Sequence, residues 1–148
     1  MIEIGPLRPD ERDAWEVLAR GYKAFYRTEV DDAGYELAWK RLTLANGDGG
    51  DVAALGARLD GRLVGITHYL FHVTVWDDGA CYLQDLFVDE NVRGKGVARG
   101  LIEAVADAAR ERGASRLYWT TQEHNRTARL LYDKVARFNG FLRYDYAL

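Results

Sequence analysis

The chain has 148 residues, of which 48% are hydrophobic and 29% are charged. This composition excludes a disordered chain, which combines low hydrophobicity with high net charge. We therefore expect residues 1–148 to form a single domain. The net charge of −3 and the pI of about 5.6 give no broad cationic surface, so we expect neither a nucleic-acid partner nor binding to an anionic membrane.

Targeting and metal-binding signals are also missing from the sequence. Met1–Asp10 lacks the basic start and apolar run of a signal peptide, and no apolar stretch approaches the ~18 residues that span a bilayer. The one cysteine, Cys81, cannot form an internal disulfide and forms no ligand cluster with the three histidines. These observations predict a cytoplasmic protein with no metal site.

The first half of the chain predicts helices followed by an antiparallel meander. Asp10 resembles a helix N-cap, with Asp13 as its capping-box partner. Apolar residues then recur at helical spacing, namely Ala14, Trp15, Leu18, Tyr22 and Phe25. We predict strands at Glu3–Leu7, Val52–Arg58, Arg62–Trp76 and Ala80–Val88, and a helix at Tyr35–Leu44 that ends at the run Asn46–Gly50.

The second half alternates helices and strands. An apolar stripe from Val97 predicts a helix that stops at Gly113. We predict a strand at Arg116–Thr120, a helix from its N-cap Asn125 to Val135, and a last strand at Phe141–Tyr146. A meander followed by this alternation predicts an α+β fold, in which about four helices flank a mixed, mostly antiparallel sheet.

The segment Val88–Arg99 carries the most specific chemical signal. A strand ends at Val88, and a loop with Gly94 and Gly96 leads into a helix. The two glycines let a ligand approach the backbone, and the first helical turn offers unpaired N–H groups at the positive end of the helix dipole. Positive charge comes from Arg93, Lys95 and Arg99. On spacing alone, this segment is either a pyrophosphate site or a turn that merely starts a helix.

Three stretches resemble motifs of the GCN5-related N-acetyltransferase (GNAT) family, in the family's order and spacing. Tyr82–Val88 is similar to the family's fourth strand, and Arg93–Ala98 to its Arg/Gln-x-x-Gly-x-Gly/Ala signature. Asn125–Tyr132 is similar to its Asn-x-x-Ala-x-x-x-Tyr helix. Within the family, Trp119–Phe141 resembles the Hpa-type histone and polyamine acetyltransferases, although the connection after the helix is longer here than in most relatives. The resemblance implies the GNAT fold.

The resemblance also implies acetyl-CoA as the cofactor. Its pyrophosphate would be held by Arg93, Gly94, Lys95, Gly96, Val97, Ala98 and Arg99. Its pantetheine arm would pair, as an extra strand, with the backbone of Leu86, Phe87 and Val88, and one N–H there would stabilise the oxyanion. The last helix would complete the cofactor site with Asn125, Tyr132 and Lys134.

Tyr132 is the candidate general acid. It lies seven residues after Asn125, which puts both side chains on one helix face about 10 Å apart along the axis. A phenol with a reference pKa of about 10 stays protonated at neutral pH and can protonate a leaving thiolate. From the residues alone, a core aromatic with a satisfied hydroxyl is the alternative.

The acceptor side rests on acidic residues. Asp85 is a candidate general base or an anchor for a cationic substrate group, and the alternative is a carboxylate that caps a backbone N–H. Strand alternation places Asp85 on the face of Leu83 and Phe87, with Gln84 on the opposite face. We expect the substrate to contact Tyr26, Glu29, Asp31, Gln84 and Asp85, although the acidic connection Tyr26–Asp32 also fits a solvated loop. His68 and His72 are interpreted as packing or surface residues.

The sequence thus predicts an N-acetyltransferase that moves an acetyl group from acetyl-CoA to a primary amine by direct attack in a ternary complex. The amine is a polyamine, a small amine or a lysine side chain. The alternatives are a non-catalytic acyl-CoA-binding or regulatory module on the same fold, or another nucleotide phosphate binder. Cys81 has no evident base partner and is not cast as a nucleophile. The aromatic strand Phe141–Tyr146 could pair with a second chain, so we expect a homodimer.

Overall fold

A five-stranded sheet forms the centre of the computed structural model, which describes residues 1–44 and 52–148. Its strands follow one another in the order β1 (Ile2–Gly5), β2 (Val52–Leu59), β3 (Arg62–His72), β4 (Ala80–Val88) and β5 (Arg116–Tyr118). Strands β1 to β4 pair antiparallel, and β5 runs parallel to β4. The helices of the described chain are α1 (Arg12–Phe25), α2 (Asp32–Thr43), α3 (Val97–Arg112) and α4 (Arg126–Val135). The predicted α+β fold with a mixed sheet is confirmed.

Helices cover both faces of the sheet. Trp15 and Leu18 of α1 pack with Ile66 and Phe87, which lie opposite each other on β3 and β4. The apolar stripe of α3 covers the other face and buries Val97, Leu101, Ile102, Val105 and Ala109. Because α1 and α3 each present one apolar stripe, each helix packs on a single face, as the helical spacing predicted.

The meander forms as predicted, with one difference in length. Asp60 and Gly61 have φ values of 52° and 80°, which the tight two-residue turn between β2 and β3 requires. β3 ends at His72, not at Trp76, because its partner β4 begins at Ala80 directly opposite His72. Beyond that pair, β4 offers no further residue for β3 to pair with.

The start of α1 differs from the prediction. Pro9–Glu11 forms a 3-10 turn, and α1 begins only at Arg12, so Asp10 is not its N-cap. The acidic residue that organises this turn is Glu11, which accepts hydrogen bonds from the Arg8 backbone N–H at 2.8 Å and from Arg58 Nε at 2.7 Å. The Arg58 side chain is buried, so a distant ion pair determines the geometry of the helix entry.

The predicted strand Phe141–Tyr146 does not form, and residues 137–148 contain neither helix nor strand. The Phe141 and Tyr144 side chains are 82% and 89% exposed. Alternating aromatic residues favour a strand, but a strand also needs a partner for its N–H and C=O groups. Helix α2 ends at Thr43, and the predicted stop at Asn46–Gly50 lies outside the described residues.

Within the described ranges, no helix combines the length and the apolar character needed to cross a membrane.

Candidate active site

Strands β4 and β5 part after three residue pairs. Ala80–Tyr82 pairs with Arg116–Tyr118, where β5 ends. Leu83–Val88 continues without a partner strand on that side in the described part of the chain. We call the resulting wedge between Leu83–Val88 and the chain after Tyr118 the splay. It exposes a strand edge that an extended ligand can pair with.

The antiparallel ladder determines which backbone groups point into the splay. The Asp89 N–H donates to the Val64 carbonyl at 2.8 Å, so this residue faces β3. Alternate residues follow the same pattern, which turns the N–H and C=O groups of Leu86 and Val88 away from β3 and toward the splay. Arg93 Nε agrees with this orientation, because it donates to the Val88 carbonyl at 3.3 Å.

The free edge leads into an open helix N-terminus. Gly96 is the N-cap of α3 with φ 83°, and Gly94 has φ 81°. A Cβ at either position would meet no atom of the described residues within 4 Å. Among residues 1–44 and 52–148, no side chain caps α3, whereas the Asp31 carboxylate caps α2 by accepting from the Gly34 N–H at 2.8 Å. The first N–H groups of α3 therefore remain for an outside anion, with exposed cationic side chains from Arg93, Lys95 and Arg99 around them. This cradle fits a pyrophosphate.

A β-bulge sets the acceptor side of β4. His68 pairs with Asp85 and Tyr69 pairs with Leu83, which leaves Gln84 as the extra, exposed residue. Leu83 consequently packs beneath α3, while Asp85 lies on the α1 side with His68. The predicted common face of Leu83 and Asp85 is wrong, because the bulge interrupts the strand alternation.

Asp85 is held from two sides and stays ionised. Its Oδ2 lies 2.8 Å from His68 Nδ1, and its backbone carbonyl accepts from Thr67 Oγ1 at 2.8 Å. Burial alone would raise the pKa of Asp85, but hydrogen bonds from His68 and Tyr22 bring it below its usual value. The carboxylate is thus an anion at neutral pH and a weak proton acceptor, which favours its role as an anchor for a cation over its role as a general base.

Tyr22 of α1 hydrogen-bonds Asp85 and begins a cluster of tyrosines. The rings of Tyr22 and Tyr26 lie 4.8 Å apart, and burial followed by the Asp85 charge raises the pKa of Tyr22. Burial also raises the pKa of Tyr132 to about 12, with a smaller contribution from Tyr26. The Tyr132 ring packs edge-on against Trp119 at 5.4 Å. Tyr22, Tyr26 and Tyr132 thus form a tyrosine cluster, which Tyr22 connects to Asp85.

The remaining predicted cofactor residues lie at the two ends of α4. Asn125 occupies the predicted N-cap position, but its side chain does not cap the helix and instead donates to Thr121 Oγ1 at 3.3 Å. Lys134 is exposed in the last turn. The amide oxygen of Asn125 is consequently not used by α4.

The acidic connection before α2 is partly structural. Tyr26 ends α1 beside the tyrosine cluster, and Glu29 is exposed. The Asp31 carboxylate caps α2, and Asp32 pairs with Arg20 at 2.7 Å. Of the residues expected to contact the acceptor, Tyr26 lies beside Tyr22, which hydrogen-bonds Asp85, and Asp31 has a capping role.

Sequence reasoning missed two residues of this cluster, Tyr22 and His68. Tyr22 was interpreted only as an apolar position of α1, and His68 as a packing or surface residue. Trp15 Nε1 donates to His68 Nε2 at 3.0 Å across 53 residues of sequence, a contact for which the sequence has no local signal.

The chain belongs to the Acetyltransferase (GNAT) family, whose family model matches residues 13–138. It is therefore an acetyltransferase, and acetyl-CoA is the acetyl donor of this family, as predicted from the resemblance.

Relatives along nearly the whole chain support this assignment. The chain is 36% identical to the D-amino-acid N-acetyltransferase HPA3 of Saccharomyces cerevisiae over 140 residues, covering 91% of this chain and 84% of the relative. It is 34% identical to the uncharacterized N-acetyltransferase YhfO of Bacillus subtilis over 146 residues, covering 97% and 95%. The crystal structure of the aminoglycoside acetyltransferase AAC(6')-Iy with a CoA-linked bisubstrate analogue superposes with a TM-score of 0.83 at 20% identity, covering 100% and 98%, which shows the common fold.

Proposed function

We propose that this acetyltransferase transfers the acetyl group from acetyl-CoA to a primary amine by direct attack in a ternary complex. The amine is a polyamine, a small amine or a lysine side chain. The observation that carries the proposal is the splay, because its free strand edge runs directly into the open N-terminus of α3. A ligand with an amide arm and a pyrophosphate has a complementary group for each.

Backbone groups do most of the cofactor binding in this proposal. The N–H groups at the start of α3 and the charges of Arg93, Lys95 and Arg99 hold the pyrophosphate. Leu86 and Val88 supply the edge hydrogen bonds, while Phe87, whose backbone faces β3, contributes its side chain. Asn125 and Lys134 contact the cofactor from α4.

Tyr132 assists departure of the thiolate. Acetyl-CoA would supply a thioester whose carbonyl carbon a neutral amine attacks. As the C–S bond breaks, Tyr132 would protonate the thiolate, and the proton lost by the amine nitrogen would return to Tyr132 through water. The Leu86 N–H points into the splay and is the candidate donor to the developing oxyanion. The raised pKa of Tyr132 keeps its phenol protonated, so the hydroxyl is present as the general acid throughout the neutral range.

The acceptor enters from the α1 side, where the Asp85 carboxylate lies. The ionised Asp85 attracts an ammonium group, and Tyr26, Gln84 and Glu29 line the approach, with Asp31 adding charge at the start of α2. The yeast relative named for D-amino acids supports a small amine as acceptor. D-amino acids and L-amino acids should therefore be tested as substrates.

We propose a homodimer that uses the chain after α4. Residues 137–148 carry exposed apolar side chains, including Phe141, Leu142, Tyr144 and Tyr146. A second copy could cover them and supply the missing strand partner. Sedimentation of the parent chain and of a chain ending at Asn139 tests this: a dimer that becomes a monomer supports the proposal, and a monomeric parent rejects it.

The free thiol of Cys81 fits a reducing compartment, and we propose the cytoplasm.

Turnover by Tyr132→Phe tests the catalytic proposal. Release of free CoA thiol is followed across polyamines, small amines, both hands of amino acids and a lysine peptide, with acetyl-CoA binding measured by calorimetry. Tyr132→Phe should lower kcat roughly a hundredfold or more while acetyl-CoA binding stays at the parent value. Tyr146→Phe, which removes an exposed hydroxyl after α4, is the matched control.

Each other outcome points to a different error. If Tyr132→Phe keeps the kcat of the parent protein, Tyr132 is not the general acid. Acetyl-CoA binding without thiol release from any amine supports a non-catalytic module. Thermal stabilisation by ATP and none by acetyl-CoA rejects the cofactor.

A further inference from the structure

A hydrogen-bonded chain runs from the core helix α1 through β3 to the acceptor side of β4. Trp15 Nε1 lies 3.0 Å from His68 Nε2, and His68 Nδ1 lies 2.8 Å from Asp85 Oδ2. Trp15 is 1% exposed, and the His68 and Asp85 side chains are 12% and 16% exposed. These bonds thus connect the centre of the core to Asp85, a largely buried carboxylate of the candidate active site.

The direction of these bonds fixes the tautomer of His68. An indole N–H can only donate, so His68 Nε2 accepts and carries a lone pair. The ring proton therefore resides on Nδ1 and is donated to Asp85. A second proton cannot enter the ring without breaking the bond from Trp15.

A neutral histidine orients Asp85 without cancelling its charge. The Glu11 carboxylate is different, because its partner is a cation. Arg58 donates to it from Nε at 2.7 Å and from a second guanidinium nitrogen at 2.6 Å, so the charge of Arg58 neutralises the carboxylate. Asp85 instead faces the imidazole of His68, whose Nε2 already accepts from Trp15 Nε1, and the phenol of Tyr22. The carboxylate keeps its negative charge and has lone pairs to spare.

We propose that His68 is a positioning residue, which Trp15 holds in its Nδ1–H form so that the Asp85 carboxylate points, still charged, at an ammonium group of the acceptor. This inference rests on the proposed function and deepens it. It selects acceptors that bring a cation to Asp85, and it assigns His68 no contact with acetyl-CoA. The purely structural alternative is that the chain of bonds only stabilises packing between α1 and the sheet.

The tautomer is tested first, on the parent protein without substrate. In protein labelled with 15N at histidine, His68 should show a protonated Nδ1 and an unprotonated Nε2, with the signals assigned by their loss in His68→Asn. Trp15→Phe removes the donor to Nε2 and should change the His68 pattern. A protonated Nε2 in the parent protein overturns the proposal, whether or not the chain acetylates any amine tested.

Kinetics then separate positioning from packing. His68→Leu should raise the acceptor KM roughly tenfold or more, the loss expected for a hydrogen bond to a charged group, while the acetyl-CoA KM stays at the parent value. His68→Asn restores a donor near Nδ1 and should recover part of the loss. His72→Asn changes the other histidine of β3, which bonds Tyr118 and the Val73 carbonyl, and should leave the acceptor KM unchanged.

Two results contradict the positioning role. One is a folded His68→Leu variant, judged by circular dichroism, with the parent acceptor KM. The other is an equal rise of both KM values, which would mean a general disturbance of the site. If His68→Leu does not fold, His68→Asn and the tautomer measurement still decide.

Discussion

Replacing Gly96 by alanine tests whether the N-terminus of α3 binds the cofactor. Gly96 has φ 83°, where a residue with a Cβ is strained by about 1–2 kcal/mol. The added Cβ meets no protein atom within 4 Å, so it would lie in the space that the pyrophosphate is proposed to occupy. Displacing the anion from one N–H group costs about 1.5–3 kcal/mol, which weakens acetyl-CoA binding roughly tenfold to a hundredfold.

Gly113→Ala is the matched control for backbone strain. Gly113 ends the same helix with φ 81°, and its Cβ would also meet no atom within 4 Å. It lies about 26 Å from Gly96 along the helix axis. Both variants should therefore lose a similar amount of stability, visible as a Tm lower by several degrees.

Calorimetric titration with acetyl-CoA, together with thermal unfolding, separates strain from binding. We expect both variants to unfold earlier, and only Gly96→Ala to bind acetyl-CoA more weakly. Equal weakening in both variants would show that strain in α3 is transmitted to the site. Parent affinity in Gly96→Ala would refute the placement of the pyrophosphate at this cradle.

Three further predictions concern ionisable groups. Burial raises the pKa of Cys81 to about 11, so an aromatic disulfide reagent at pH 8 should label the unfolded protein but hardly the native one. Burial raises the pKa of Tyr132 to about 12, so kcat should show no alkaline decline that depends on this phenol below about pH 10. Glu11→Gln leaves the buried Arg58 charge unpaired and should lower the unfolding free energy by about 3–5 kcal/mol at pH 7, measured in urea. Because the hydrogen bond from Arg58 lowers the Glu11 pKa, the ionised carboxylate stabilises the parent above its unfolded pKa, and that contribution should disappear as the pH falls through the lower folded pKa.

The features predicted best from the sequence are those determined locally. The glycine loop and α3 need only two glycines, an apolar stripe and a C-terminal glycine within one stretch, and each appears where it was expected. The turn at Asp60–Gly61 is equally local. Helix α4 is local as well, since it begins directly after the predicted N-cap position Asn125 and ends at Val135, as expected.

The features missed depend on residues distant in sequence. The bulge at Gln84 exists only in the register between β3 and β4, so alternation within β4 could not show that Leu83 and Asp85 face opposite sides. Asp10 was predicted as a helix cap from its residue type alone. In the structure Glu11 organises the turn before α1, because Arg58 on β2 hydrogen-bonds its carboxylate. The Trp15–His68 hydrogen bond also joins residues distant in sequence. Neither residue signals it, since both residue types are typical of ordinary cores.

The cofactor edge and the failed last strand both have backbone groups without a partner strand in the described chain. β5 ends at Tyr118, so Leu83–Val88 remains an edge. Proteins normally cover or charge such edges, because an uncovered apolar edge invites pairing with another chain. The β4 edge carries apolar residues, including Leu86 and Val88, and a cofactor that pairs there covers it as a strand would. The segment Phe141–Tyr146 pairs with no strand of the described chain, so its aromatic pattern predicts a strand that does not form there.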